Sequence, residues 1–152
     1  DINTFNAFSL RSIKREHHRR NETLNLNYEY KLDKWSGDLN GRNITDTINV
    51  VEANSLRQRL ANIKVSSWTT NLAPAYQALK EPWATFTITT EEHDKATGES
   101  ASKVTVIRFA PATDSATPQL FFGQVNGDPD VFIIGRSTYF ELIKGITSGL
   151  LK

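Results

Sequence analysis

A short basic run holds two of the chain's three histidines and is the first place where side chains could do chemistry. The run spans 14–20 and reads Lys-Arg-Glu-His-His-Arg-Arg. Adjacent side chains of an extended strand point to opposite faces, so His17 and His18 would not share one metal ion, and the flanking cations also disfavour a metal. We therefore predict a solvated turn at the tip of a hairpin, over 15–22. A basic docking patch is the first alternative, and metal or acid–base chemistry is the second.

A second cluster combines carboxylates with the third histidine. Glu91, Glu92, His93 and Asp94 offer oxygen ligands and an imidazole, but they belong to a polar stretch, 91–102, that contains Gly98 and two serines. We predict a long mobile hairpin loop here, and ligands on a mobile loop are poorly positioned for a metal ion. No metal site and no cofactor are therefore predicted.

Nucleophilic catalysis and nucleotide binding lack their usual sequence signals. The chain has no cysteine, which excludes thiolate chemistry, disulfides and cysteine-ligated metals. No serine stands in a Gly-x-Ser-x-Gly motif, and no glycine-rich loop leads from a predicted strand into a helix. We predict no catalytic residues, and a metal-assisted hydrolase around His17, His18 or His93 is the least favoured function.

Three large aromatic residues flank a proline-containing connector near the middle of the chain: Trp68, Tyr76 and Trp83. Large aromatic side chains beside a chain reversal usually close the edge of a hydrophobic core. The alternative is a stacking surface for a sugar or another ligand. If the chain has a ligand-binding site, Trp68, Tyr76 and Trp83 are its predicted residues.

Length and composition are those of one folded domain. The chain has 152 residues, of which 38% are hydrophobic and 10% aromatic, enough for a packed core. Eighteen basic residues against 17 acidic ones leave a net charge of +1, without the basic excess typical of nucleic-acid binding. The absence of methionine indicates a piece of a longer protein. No apolar run approaches the ~20 residues that a membrane-spanning helix requires.

The second half of the chain has the pattern of four strands followed by a helix. Turn-rich polar stretches separate the predicted strands 85–90, 103–110, 119–125 and 131–134. Thr138 and Glu141 form a potential capping box, which predicts a helix over 138–151.

The first half predicts a hairpin and a second amphipathic helix. Apolar and polar residues alternate over 24–32, with 5–14 as the partner strand and an irregular segment from Trp35 to Gly41. Ala53, Leu56, Leu60 and Ile63 form one apolar stripe of a helix, with Asn49 or Asn54 as its cap. We predict an α+β fold in which an antiparallel sheet of six or seven strands packs against two helices. Short elements, a strand at 65–70 and one helical turn at 74–79, complete the prediction.

The segment around Pro82 resembles a known family. Residues 78–88 read Ala-Leu-Lys-Glu-Pro-Trp-Ala-Thr-Phe-Thr-Ile. This pattern is similar to the Gly-Leu-Asp-x-Pro element and following strand of the bacterial family called domain of unknown function 4340. The chain departs from that element at Ala78 and Lys80, where the family has glycine and aspartate. In the same order as in the family come Trp35, the helix near Leu56, the strand 121–125 and the strand 131–137.

The resemblance implies a setting in the bacterial cell envelope. Members of that family typically carry an N-terminal membrane helix, project such domains outward, and occur beside ABC-transporter or gliding-motility components. No catalytic residues are established for the family. We therefore expect a non-catalytic extracytoplasmic or periplasmic interaction domain of a membrane-anchored protein, docking an envelope protein through a sheet edge or the loops 91–102 and 111–118. The alternative is a module that binds a glycan or small ligand through Trp68, Tyr76 and Trp83.

Overall fold

A nine-stranded antiparallel sheet forms the body of the computed structural model, which describes residues 1–148. Its strands, in chain order, are β2 (Leu10–His17), β3 (Glu22–Glu29), β4 (Lys34–Leu39), β5 (Arg42–Asn43), β7 (Ser67–Trp68), β8 (Ala84–His93), β9 (Ser100–Pro111), β10 (Leu120–Val125) and β11 (Phe132–Gly135). They are arranged in the order β5-β4-β3-β2-β8-β9-β10-β11-β7. Two further short strands, β1 (Ile2–Asn3) and β6 (Asn62–Ile63), pair with each other. The predicted α+β class is confirmed, with more strands than the six or seven expected.

Strand β2 joins the two halves of the chain. It pairs antiparallel with β3 on one side and with β8 on the other, so the first hairpin and the second-half strands form one continuous sheet. Along β8, Phe86 and Ile88 are fully buried while Thr85 and Thr87 are half-buried, which is the predicted alternation.

Within residues 1–148, three α-helices cover the sheet instead of the predicted two, because the predicted helical turn at 74–79 is part of a full helix. They are α1 (Val50–Ala61), α2 (Leu72–Leu79) and α3 (Arg136–Ile143). Helices α1 and α3 pack on the main core and are linked by ion pairs, Arg59 to Glu141 and Lys144 to Glu52, both at 3.1 Å. Helix α2 belongs to a second, smaller core. Adjacent side chains of β10 belong to different cores, because successive strand residues point to opposite faces. Phe121 packs in the main core on the side of α3, and Phe122 packs in the smaller core on the side of α2.

Several predicted boundaries were wrong. The segment 35–41 is mostly the regular strand β4, and half of 91–102 is paired strand, because β8 and β9 stay in register out to His93 and Ser100. The potential capping box is not formed: α3 begins at Arg136 with Gly135 as its cap, so Thr138 lies inside the helix. Helix α3 ends at Ile143, and positions 149–151 of the predicted helix lie outside the described residues.

The predicted solvated turn over 15–22 was wrong at its start. Strand β2 continues to His17, and the side chains of Arg15 and His17 are buried on the core face. The buried guanidinium is partly satisfied, because Arg15 Nη1 donates hydrogen bonds of 3.0 Å to the backbone oxygens of Leu142 and Lys144. Helix α1, in contrast, is capped by Asn49, one of its two predicted caps, whose side chain accepts a hydrogen bond from the backbone N–H of Glu52.

Close packing at Gly123 provides a test of the core. A Cβ atom at this position would lie 2.3 Å from a ring carbon of Phe132 and 2.9 Å from one of Phe109. Overpacking of this kind costs about 1–3 kcal/mol, so Gly123→Ala should lower the free energy of unfolding in a urea titration by that amount. Gly145→Ala is the matched control, because a Cβ there also meets nothing within 4 Å. Equal stability of the two variants would contradict this packing.

Candidate functional site

A cleft opens where the end of β2, the start of β8 and helix α3 meet. It encloses about 260 Å³. Its lining combines basic and aromatic side chains with one aliphatic side chain, namely His17, Arg19, Arg20, Trp83, Tyr139, Phe140 and Ile143. The volume is just below the ~300–1,000 Å³ typical of sites for drug-sized ligands. The cleft is therefore suited to a small ligand or to one end of a larger one.

Local backbone structure places the basic side chains at the mouth of this cleft. After His17 the chain makes one 3-10 turn, His18–Arg20, and Asn21 adopts a left-handed conformation with φ of 49° before β3 begins. The backbone N–H of His18 donates a 2.9 Å hydrogen bond to the carbonyl oxygen of Trp83. The turn that carries Arg19 and Arg20 is thereby fixed next to the indole ring of Trp83.

Tyr139 forms the floor of the cleft and is fully buried. Its ring stacks on Phe121 at a centroid distance of 3.9 Å and an interplanar angle of 12°. Its hydroxyl oxygen is buried without a hydrogen-bond partner among the described residues. Burial raises the pKa of Tyr139 to about 12, although the positive charges of Arg19, Arg15 and Arg20 act in the opposite direction. At neutral pH this hydroxyl is a protonated, unused donor.

His17 supplies a second buried polar atom without a partner. Its Nδ1 atom is inaccessible and makes no hydrogen bond within residues 1–148. Burial lowers the pKa of His17, and the positive charge of Arg20 lowers it further. The imidazole is therefore neutral at pH 7 and can present one N–H group.

Arg15 places a positive charge behind the cleft. Its guanidinium holds the carbonyl oxygens at the C-terminal end of α3, where the helix dipole favours a cation. Burial lowers the pKa of Arg15 to about 10, so the group keeps its charge at neutral pH. Its Nε atom has no partner among the residues that the structure describes.

Arg19 and Arg20 are exposed at the rim. The guanidinium of Arg19 lies over the ring of Trp83, 3.9 Å from the centroid, which is a cation–π contact. Within residues 1–148, neither Arg19 nor Arg20 forms an ion pair. The rim thus offers two guanidinium groups whose hydrogen-bond donors are not engaged by a carboxylate. An anion is the kind of ligand that can accept hydrogen bonds from these guanidinium groups and from the buried donors together.

The three aromatic residues predicted as a ligand site have different surroundings. Trp83 lines the cleft and also borders a separate, open groove on its other side that includes Glu81. Trp68 is about half exposed and packs edge-on against Phe132. Tyr76 donates its hydroxyl hydrogen to the carbonyl oxygen of Pro129. Of the three, only Trp83 is brought together with His17, Arg19 and Arg20.

The second predicted cluster, which combines carboxylates with His93, lies away from the cleft lining. Glu92, His93 and Asp94 line a depression at the tip of the β8–β9 hairpin. Within the described residues, no three His, Asp or Glu side chains are grouped closely enough to hold a metal ion.

Two features of the cleft were not predicted from the sequence: that Tyr139 is one of its lining residues and that the side chain of His17 points toward the core. A signal was present, because Ile13, Arg15 and His17 continue the period of two that a strand imposes on its buried face. The charge of the 14–20 run concealed this alternation. Tyr139 carried no signal of its own, since an aromatic residue in an apolar helix face is ordinarily a core residue.

Comparisons with known proteins give no assignment of this site. No family model matches the chain, and neither the curated proteins nor the solved structures contain a significant match. The resemblance to the domain of unknown function 4340 family therefore stays a prediction. No helix within residues 1–148 is long and apolar enough to cross a membrane.

The unpartnered hydroxyl of Tyr139 should reduce the stability of the free protein. A buried polar group without a hydrogen bond costs about 1–3 kcal/mol, so Tyr139→Phe should raise the free energy of unfolding. Tyr28→Phe is the control, because the Tyr28 hydroxyl donates a 2.6 Å hydrogen bond to Asp33 that the variant loses. Urea titration of both variants measures the effect. A Tyr139→Phe variant less stable than the unmodified protein would show that the Tyr139 hydroxyl is satisfied.

Proposed function

We propose that this chain is a non-catalytic binding domain whose cleft between β2, β8 and α3 takes up the anionic group of a small ligand. One observation supports this most strongly: the buried, unpartnered hydroxyl of Tyr139 lies within the electrostatic influence of three arginines. An anion held there would accept a hydrogen bond from that hydroxyl and face Arg15, Arg19 and Arg20.

The chemistry of the donors supports an oxyanion. Guanidinium groups present planar arrays of N–H donors that match carboxylate, sulfate and phosphate oxygens, and hydrogen bonds to charged partners are about twice as strong as neutral ones. Tyr139 and His17 are partly or wholly shielded from water, where such interactions gain strength. A buried donor that is unpaired in the free protein gains its first partner when an anion binds.

The same groups are suited to binding more than to turnover. The raised pKa of Tyr139 keeps its hydroxyl protonated at neutral pH, and the hydroxyl has no neighbouring base within hydrogen-bond distance among the described residues. The neutral His17 likewise has no partner that would orient it as a general base. These residues therefore act as hydrogen-bond donors in the proposal.

The proposal develops the ligand-binding alternative that the sequence left open and retains one of its three residues, Trp83. The setting stays the one that the resemblance implies, an extracytoplasmic domain of a membrane-anchored envelope protein with transporter or gliding-motility components nearby. A small anionic ligand and an envelope protein partner are compatible, since the cleft occupies one end of β2 and β8 and leaves the sheet edges β5 and β7 free of it.

Binding can be measured through the intrinsic fluorescence of Trp83. Titration with phenyl phosphate or phenyl sulfate should give a saturable change, because an anion at the rim would draw Arg19 from the indole ring. The double variant Arg19→Gln/Arg20→Gln should bind at least about tenfold more weakly, a loss of about 1.4 kcal/mol.

Two controls make this titration specific. Arg42→Gln removes an exposed arginine from β5 at the far edge of the sheet and should bind like the unmodified protein. Trp83→Phe should lose the fluorescence signal while calorimetry still detects binding. Absence of saturable binding by both anions, or equal weakening in the Arg42→Gln variant, would contradict the proposed function.

A further inference from the structure

The excess of positive charge around the cleft indicates the charge of its ligand. The three arginines Arg15, Arg19 and Arg20 all act electrostatically on Tyr139. The carboxylate of Glu22 opposes the positive charge of these arginines. Glu22 lies opposite His17 in the β2–β3 pair and attracts Arg15 and His17. Since His17 is neutral at pH 7, three cations and one anion leave an excess of two positive charges.

The neighbouring carboxylates Glu52 and Glu141 do not reduce this excess, because both form ion pairs outside the cleft lining. Lys144 forms ion pairs with Glu52 at 3.1 Å and with Glu141 at 3.9 Å. Arg136 stacks over the ring of Phe140 and donates a 3.0 Å hydrogen bond to the carbonyl oxygen of Pro118, so its charge adds to the positive side of the balance. The uncompensated charge is therefore concentrated at the cleft itself.

The lining of the cleft combines polar and apolar side chains. His17, Arg19, Arg20 and the hydroxyl of Tyr139 provide the donors, whereas Phe140 and Ile143 provide an apolar wall. By volume the cleft corresponds to about nine water molecules at ~30 Å³ each. This space holds a tetrahedral oxyanion and a compact apolar group attached to it.

We propose that the anion is the doubly charged head of a phosphate monoester on a compact apolar or aromatic body, in preference to a singly charged sulfate ester or carboxylate. This inference rests on the proposed function and adds the charge and the shape of the ligand to it. A dianion neutralises the excess of two positive charges, and its three terminal oxygens can accept hydrogen bonds from Arg19, Arg20 and Tyr139 together. The monoester can be a free small molecule or a phosphorylated side chain of another protein.

Phenyl phosphate and phenyl sulfate form a matched pair of probes for this inference. They share the ring and the tetrahedral head and differ in charge at pH 7.5, because the second pKa of a phosphate monoester is about 6. Isothermal titration calorimetry of the intact chain should give at least about tenfold tighter binding of phenyl phosphate. In the Arg20→Gln variant, whose substituted side chain is exposed, this preference should fall severalfold, whereas Arg42→Gln should retain it.

The outcomes separate the inference from the function on which it rests. Equal affinity for the two probes, or tighter binding of the sulfate, would overturn the phosphate inference and leave the anion-binding function intact. Binding of neither probe would overturn both. A five-residue peptide with a central phosphotyrosine distinguishes the two sources: affinity equal to that of phenyl phosphate assigns the head to a modified protein, and much weaker affinity assigns it to a small molecule.

Discussion

The hydrogen bonds from the buried guanidinium of Arg15 to the end of α3 are the interaction on which the cleft depends. They join residues 127 and 129 positions apart in the chain and fix α3 against β2. Hydrogen bonds from a charged donor are worth about 1.5–3 kcal/mol each, enough to offset part of the cost of burying the group. Because strand side chains alternate, the burial of Arg15 also directs His17 inward. Helix α3 then brings Tyr139 to the same place.

The cleft combines several groups that a protein selected only for stability would not keep. Buried polar atoms without partners are rare in folded proteins, and three of them, Arg15 Nε, His17 Nδ1 and Tyr139 Oη, occur around this one feature. Each lowers the stability of the free protein, and in the proposed function each would gain a partner when an anion binds. This opposition between stability and function is common at binding sites, and it is the physical reason for proposing a binding site here and not at the exposed aromatic side chain of Trp68.

The α+β class could be predicted because burial imposes a period of two on strands and a stripe on helices. Phe86 and Ile88, or Leu56 and Leu60, reveal their elements without reference to the rest of the chain. The number of strands could not be predicted as well, since two-residue strands such as β5 and β7 are too short to show a period. The limits of α3 were missed because Gly135, and not the potential capping box, precedes its first turn.

The candidate site was less predictable than the fold, for a reason that Arg15 illustrates. A charged residue is ordinarily solvated, and only the carbonyl oxygens at the end of a distant helix make its burial possible. Trp83 was among the predicted ligand residues, whereas Tyr139 joined it only through tertiary packing.

The most direct test of this account is a crystal structure of the protein grown with phenyl phosphate. We predict electron density for the phosphate group in the cleft, with one oxygen within hydrogen-bond distance of the Tyr139 hydroxyl and others near Arg19 and Arg20. An empty cleft in crystals where the ligand occupies another surface, or a Tyr139 hydroxyl bonded to another group of the protein, would contradict it.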